Sequence, residues 1–287
     1  MVTAAPVSLA MNALIYDVGA HHGEDSAFYL KKGFRVVAIE ANPWLAKALR
    51  ERFADAMDTG QFTLVEGAVA DQDGEVEFFV NGVSAWGTIR EDWARRNLEM
   101  GAPSRKIRVP AVSFATVLER YGVPHYLKID IEGADMVCVR ALGKSSSRPA
   151  YVSLESSKTS WRELMAEFST LAGLGYERFK VINQRRIEEQ VEPVPAREGR
   201  HAGLRVQRDS TGLFGAELPG RWLTRDQALA KYAIIFLRYG LFGDSTLGRR
   251  IVRRLGPLSR LIPAWYDTHA ALGTDAQETM PVASRQL

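Results

Sequence analysis

The chain has 287 residues, of which 46% are hydrophobic and 25% are charged, and this is the composition of an ordinary globular protein. Its single cysteine excludes both an intramolecular disulfide framework and a cysteine-rich zinc site. No uncharged apolar run reaches the roughly 20 residues that span a bilayer, and no basic region precedes the first apolar run, so we expect a cytoplasmic protein.

The net charge of +3 hides an uneven distribution. Residues 221–262 carry nine Lys and Arg against two acids, and residues 263–287 carry one Arg against three acids, which leaves −2 for residues 1–220. Peripheral contact with an anionic membrane, or binding of an anionic substrate, is therefore expected at residues 221–262. The alternative for this Arg-rich segment is a solvated helical face. We expect no nucleic acid partner, because aromatic residues do not alternate with the basic ones here and the sequence shows no known nucleic-acid-binding module.

Strand-like and helix-like segments alternate over the first 182 residues, which predicts a doubly wound, mostly parallel α/β sheet with helices on both faces. Strands are predicted at 13–18, 35–40, 62–65, 75–80, 107–112, 125–130, 151–155 and 176–182. Helices are predicted at 24–32, 43–56, 113–121, 134–142 and 161–174.

The alternation ends near residue 183, so we place a sheet domain at 1–183. Residues 184–270 are predicted to form a partly helical C-terminal extension, with a helix at 222–239 and a lid at 209–223. The segment WYDTHA (265–270) has no predicted position, and residues 271–287 are predicted to be disordered. The sequence leaves open whether the protein forms a homo-oligomer.

In a parallel sheet the ligand lies at the carboxyl ends of the strands, so we expect the functional site just after residues 18, 40, 66, 130 and 155. The first of these positions begins the segment DVGAHHG (17–23), which joins a strand to a helix. Its glycines let the backbone turn tightly and approach a ligand, and free amides at a helix start favour an anionic group. The alternative for this segment is a turn with a purely structural role. The dinucleotide-binding pattern G-x-G-x-x-G is absent from it.

Three further positions place carboxylates at strand ends. Glu40 ends RVVAIE, 21 residues after Gly19, where an acid can accept hydrogen bonds from both ribose hydroxyls. The segment KIDIEGAD (128–135) carries three acids, and LES (154–156) carries one. The alternative for each is a solvated acid, but together these positions predict one shared crevice.

The segments IYDVGAHHGED, RVVAIEANP, EGAVAD, LKIDIEGAD and YVSLES, in this order, resemble the FkbM family of S-adenosylmethionine-dependent methyltransferases, which have the class I Rossmann-like fold. The resemblance extends from about residue 15 to about residue 182. His21 and Asp135 depart from it, because the family usually has Asn and Glu there. The resemblance implies S-adenosylmethionine as cofactor and O-methylation of a hydroxyl on a sugar or another small natural product. It implies cofactor-binding roles for Asp17, Gly19, Ala20, His21, Gly23, Glu40, Ala41, Ala68 and Asp130.

A sulfonium methyl group is already electrophilic, so catalysis needs mainly in-line positioning and a base for the hydroxyl proton. Candidate bases are Asp130, Glu155, Glu132, His21 and His22, of which we favour Asp130 and Glu155. His21 is favoured as a hydrogen-bonding residue that shapes the loop. Mg²⁺ bound by Asp130, Glu132 and Glu155 is possible, but no metal site is favoured.

Aromatic residues in two Gly-rich segments are candidates for substrate binding. Trp86 lies in the loop 81–93, and Phe214 and Trp222 lie in the predicted lid. The alternative for Trp86 is an anchor that holds its loop to the core. Two other functions stay open at this point, an NAD-dependent oxidoreductase on a similar sheet and a noncatalytic cofactor-binding protein.

Overall fold

The computed structural model describes residues 13–157, 160–242 and 265–273. Its strands are β1 (Leu14–Val18), β2 (Arg35–Glu40), β3 (Phe62–Glu66), β4 (Ala68–Ala70), β5 (Gly74–Asn81), β6 (Ser104–Ser113), β7 (Tyr126–Ile129), β8 (Tyr151–Glu155), β9 (Tyr176–Asn183) and β10 (Tyr266–Leu272). Its α-helices are α1 (Glu24–Lys31), α2 (Pro43–Arg52), α3 (Ala54–Asp58), α4 (Glu91–Glu99), α5 (Phe114–Tyr121), α6 (Asp135–Leu142), α7 (Trp161–Gly173) and α8 (Arg225–Phe242).

Seven strands form the central sheet in the order β3-β2-β1-β7-β8-β10-β9. The pairs from β3 to β8 are all parallel, and β10 is antiparallel to both of its neighbours. The prediction of a mostly parallel α/β sheet is therefore confirmed.

Alternation along each strand divides the core between the two faces of the sheet. Tyr16 and Val18 of β1 belong to a hydrophobic cluster with residues of α5, α6, α7 and α8. Ile15, which precedes Tyr16, belongs to a second cluster with residues of α1, α2 and the segment 202–214. All five residues of β1 are buried, as expected for a strand covered on both faces.

A separate three-stranded sheet, in the order β4-β6-β5, lies beside the central one. It contains the predicted strands 75–80 and 107–112, which the sequence pattern had placed in the main series. The antiparallel pair of β5 and β6 extends over eight residues from each strand. The loop predicted at 81–93 contains a short 3-10 helix at Ser84–Trp86 and leads into α4, which was not predicted.

The C-terminal strand β10 corrects two boundaries drawn from the sequence. WYDTHA contributes to this strand, which lies between β8 and β9, so the central sheet does not end at residue 183. Ala271 and Leu272, assigned to a disordered tail, are buried in the same strand. Residues 274–287 of that tail and the Arg-rich residues 249–260 lie outside the described residues.

The segment 184–223 packs against the sheet through apolar and charged contacts. The Phe214 ring stacks on Tyr126 at a centroid distance of 4.6 Å and meets Tyr29 edge-on at 5.3 Å. The buried Lys32 ammonium lies 2.6 Å from Glu192 and 2.9 Å from Glu217. These contacts make much of the segment part of the core on the α1 face of the sheet.

The predicted helix at 222–239 is observed as α8, whose Tyr232 packs against Phe168 of α7. Across the described ranges, no helix has both the length and the apolar character needed to cross a membrane.

Phe214→Ala tests the structural position of this ring. Because the substitution opens a cavity in a fully buried aromatic cluster, we expect the free energy of unfolding to fall by about 3–5 kcal/mol. Phe214→Leu keeps most of the apolar volume and should cost clearly less. Urea denaturation of both variants measures the effect. An unchanged midpoint for Phe214→Ala, combined with lost activity, would instead support a substrate contact.

Candidate active site

A cleft of about 900 Å³ opens at the carboxyl ends of the central strands, at the edge predicted for the site. The predicted site residues that line it are Gly19, Ala20, His21, Glu40, Ala41, Ala68, Trp86, Asp130, Glu132 and Glu155. Asp17, Gly23, Phe214 and Trp222 do not line it.

The loop after β1 approaches β7 so closely that its first residue has to be glycine. Gly19 has φ +80°, and a Cβ built on it would lie 1.9 Å from the carbonyl oxygen of Asp130. The amides of Gly19 and Ala20 both donate to the carbonyl of Ile39, at 2.9 and 3.1 Å. The loop therefore leaves β1 along a path that no side chain at this position could follow.

A buried ion pair supports this loop from below. The Lys128 ammonium lies 3.0 Å from the Asp17 carboxylate and donates to the Gly19 carbonyl at 2.8 Å. The other Asp17 oxygen accepts a hydrogen bond from Ser26 at 2.7 Å. Burial disfavours the charge on Lys128, but the neighbouring carboxylates, Asp17 foremost, outweigh it and raise the pKa of the ammonium. Lys128 is therefore cationic and holds the loop in place.

Glu40, at the end of β2, is held by two backbone amides. Its carboxylate accepts hydrogen bonds from the N–H groups of His21 and Asn42, each at 2.8 Å. Burial raises the pKa of Glu40 to about 7, although these two hydrogen bonds favour the ionised form. The carboxylate is thus oriented and titrates near neutral pH.

His21 connects the glycine loop to the 3-10 helix at Ser84–Trp86. Its backbone has φ +52°, and its Nε2 shares a hydrogen bond of 2.8 Å with the Ser84 hydroxyl. Burial, followed by the nearby His22, lowers the pKa of its imidazole. This geometry agrees with a residue that shapes the loop.

Three carboxylates meet on the other side of the cleft. Oxygen atoms of Asp130, Glu132 and Glu155 all lie within 4.8 Å of one another. Glu132 has φ +48°, and its carbonyl accepts a hydrogen bond from Thr88 at 2.8 Å. Burial and the charges of the other two residues raise the pKa of Glu132 to about 9. At neutral pH the group therefore combines a protonated Glu132 with the solvent-exposed Asp130.

The aromatic residues predicted to bind substrate separate into two groups. Trp86 is half-buried and lines the cleft. Phe214 lies in the core, and Trp222 stacks on Tyr151 with Lys180 over its ring at 4.7 Å. The prediction that Phe214 and Trp222 contact substrate is therefore not supported, because both rings are engaged away from the cleft.

Residues from the C-terminal part of the chain also line the cleft; residues 209–211 belong to the predicted lid, whereas Gln184, Arg185, Arg208, Trp265 and Asp267 were not predicted as site residues. Asp267 of β10 pairs in register with Glu155 and accepts a hydrogen bond from the Gln184 side chain at 2.5 Å. Burial, and then the charges of Asp130 and Glu155, raise the pKa of Asp267. Trp265 and residues 208–211 also line the cleft. The sequence shows an acidic residue within WYDTHA, but only the pairing of β10 with β8 shows that it lies in the cleft.

Comparison with known families identifies the fold and the class of reaction. Residues 17–178 match the family described as the methyltransferase FkbM domain. The chain belongs to the FkbM methyltransferase family. This assignment confirms the class I Rossmann-like fold and sets aside the oxidoreductase alternative. No curated protein matches the sequence.

Several solved structures resemble this FkbM methyltransferase distantly. The precorrin-6Y C5,15-methyltransferase of Geobacter metallireducens is 17% identical, with a TM-score of 0.35 over 62% of this chain and 70% of its own. Aeropyrum pernix fibrillarin with natively bound S-adenosyl-L-methionine is 13% identical, with a TM-score of 0.35 over 62% and 63%. A Geobacter sulfurreducens methyltransferase in complex with S-adenosyl-L-homocysteine is 10% identical, with a TM-score of 0.36 over 92% and 86%.

Lys128→Met tests the ion pair beneath the glycine loop. The substitution leaves the Asp17 carboxylate buried without its countercharge, so we expect the free energy of unfolding to fall by about 3–5 kcal/mol. The double variant Asp17→Asn/Lys128→Met removes both charges and should recover part of this loss. Urea denaturation of the two variants checks the coupling. Equal destabilisation in both variants would mean that the charge pair is not what supports the loop.

Proposed function

We propose that this FkbM methyltransferase uses S-adenosylmethionine to methylate a hydroxyl group of a sugar or another small natural product. One observation carries the proposal. A single cleft has the glycine loop and Glu40 on one side and the carboxylates of Asp130, Glu132 and Glu155 on the other.

The residues around the glycine loop fit the cofactor. The Glu40 carboxylate is oriented by two amides, and each of its oxygens keeps accepting capacity for a ribose hydroxyl. Gly19 leaves its position free of a side chain, and Ala41 and Ala68 are small residues that line the same wall. When bound, S-adenosylmethionine supplies a methyl group activated by its sulfonium charge. Asp17 supports the loop through Lys128 and does not contact the cleft.

The carboxylates provide the proton acceptor that a hydroxyl nucleophile needs. Asp130 and Glu155 both line the cleft, within reach of a common acceptor oxygen. We assign the hydroxyl proton to one of these two carboxylates, with Asp130 favoured by its exposure to the cleft. Glu132 is protonated at neutral pH and can donate a hydrogen bond. It orients either the methyl acceptor or the neighbouring carboxylate of Asp130 or Glu155.

The same carboxylates are hard oxygen ligands of the type that Mg²⁺ prefers. A sulfonium methyl group is already electrophilic, so methyl transfer does not require a Lewis acid, and Asp130 or Glu155 can take the hydroxyl proton without one. We therefore propose a reaction that needs no metal.

Two measurements test this function. Calorimetry should detect binding of S-adenosylmethionine and S-adenosylhomocysteine but not of NAD. Transfer of a labelled methyl group to a panel of free and glycosidic sugars should then identify an acceptor. On that acceptor, Asp130→Asn or Glu155→Gln should lower kcat by about 10²–10⁴-fold, and EDTA should leave the rate unchanged.

Opposite results would contradict separate parts of this proposal. Binding of NAD alone would overturn the methyltransferase assignment of the cofactor. Loss of turnover in EDTA, restored by Mg²⁺, would turn the carboxylate group into a metal site. Transfer only to amines or carboxyl groups would refute O-methylation.

Glu40 should make cofactor affinity depend on pH. Ribose hydroxyls donate to the ionised carboxylate, whose pKa is about 7 in the free protein, so affinity should rise with pH through this range. Between pH 8 and pH 6 we expect the affinity for S-adenosylhomocysteine to fall about tenfold, because most of Glu40 becomes protonated.

The control for this pH dependence is Glu40→Gln, which keeps the shape of the side chain and removes its titration. The variant should bind S-adenosylhomocysteine weakly and with a flatter pH profile. The pKa of Asp25 in the cleft wall is also raised to about 7, so the same pH dependence in both proteins would exclude Glu40 as its source and leave it to Asp25 or another titrating group of the site.

A further inference from the structure

The cleft wall is strongly acidic and has few cationic groups. Eight carboxyl side chains line it, whereas among the described residues its cationic side chains are those of Lys128, Arg185 and Arg208. Lys128 is paired with Asp17, and Arg185 has an interaction of its own. Arg208 is exposed to the cleft and makes no hydrogen bond or ion pair within the described ranges. It is therefore available for an anionic group of a ligand.

Arg208 lies on a segment that is fixed at both ends, residues 204–213, which we term the strap. The Thr211 amide donates to both Asp25 oxygens at 3.0 Å, and the Leu213 amide donates to Gln190 at 2.8 Å. Just upstream, the Ala202 amide donates to Glu192 at 2.8 Å, and Glu192 is held by the buried Lys32. Arg208 is thus presented from a fixed backbone.

A turn within the strap places Arg208 at its tip. The amide and the hydroxyl of Ser210 both donate to the Gln207 carbonyl, at 3.3 and 2.8 Å. Arg208 and Asp209 are the two central residues of this turn, and both line the cleft. The turn directs this part of the strap towards the ligand side.

The anchor at Thr211 defines which end of the cleft the turn occupies. Thr211 is bonded to Asp25 at the start of α1, and Asp25 lies 3.9 Å from the Lys128 ammonium that holds the Gly19 carbonyl. Three residues of chain span at most about 10 Å. Arg208 therefore lies at the glycine-loop end of the cleft.

We propose that Arg208 binds the carboxylate in the amino-acid portion of S-adenosylmethionine. This inference rests on the proposed function, in which Glu40 binds the ribose of the cofactor. The sulfonium and ammonium groups of the cofactor suit an acidic cleft, but its carboxylate needs a cationic partner there. A guanidinium group matches a carboxylate with two parallel hydrogen bonds. Arg208 lies outside the residues 17–178 that match the family.

Two ligands that differ in the carboxylate-bearing portion separate this role from others. S-adenosylhomocysteine carries it, and 5′-methylthioadenosine lacks it. By calorimetry, Arg208→Ala should weaken binding of S-adenosylhomocysteine about tenfold and change binding of 5′-methylthioadenosine less than twofold. Arg208→Lys should recover part of the loss, and the loss should shrink at high salt because the group is exposed.

Arg205→Ala is the matched control, because Arg205 is an exposed arginine of the same strap that does not line this cleft. It should bind both ligands as the wild-type protein does. Equal weakening of both ligands by Arg208→Ala, or no weakening of either, would overturn the inference. If the wild-type protein binds neither ligand, the proposed function fails first and the inference fails with it.

Discussion

The Lys128 ammonium group joins the two central strands of the sheet at the edge where the cleft opens. Lys128 and Asp17 are direct partners in the parallel pairing of β1 with β7. Removing both charges from water costs several kcal/mol per ion, which the attraction between them offsets only when geometry and hydrogen bonding are good. Here the ammonium also donates to the Gly19 carbonyl, and Ser26 donates to Asp17. The same pair therefore stabilises the end of β1, the glycine loop and the start of α1.

The remaining parts of the site depend on where this loop lies. His21 lies within the loop, and its amide orients the Glu40 carboxylate while its ring contacts Ser84. Asp25, at the start of α1, anchors the strap through Thr211. Displacement of the loop would therefore disturb both the carboxylate at the end of β2 and the strap that lines the glycine-loop end of the cleft.

Parallel strand geometry explains why several site residues were predictable. Adjacent parallel strands end at one edge of the sheet, so Gly19, Glu40, Asp130 and Glu155 had to converge once the strands were identified. The aromatic residues of the Gly-rich segments carried no such constraint. A ring at position 214 or 222 packs as readily into a core as onto a ligand, and here both rings have protein partners.

The wall formed by Asp267 and Gln184 shows what a linear pattern omits. β10 is seven residues long and lies far from β8 and β9 along the chain. It is inserted between these two strands in antiparallel orientation. Its apolar residues Ala270 and Leu272 are buried in the sheet, but alternation cannot tell which neighbours a strand will choose. The register of β10 against β8 places Asp267 opposite Glu155 and so enlarges the carboxylate group.

By itself, the sequence determined the α/β class, the positions of most strands along the chain, the glycine loop and the acids at the strand ends. These features follow from local periodicity and from motifs whose residues are close together along the chain. Only the tertiary structure decided that the C-terminal strand joins the central sheet, that Phe214 lies in the core and that Arg208 faces the cleft. These outcomes depend on contacts between segments far apart along the chain, because burial and pairing energies arise only when distant surfaces meet.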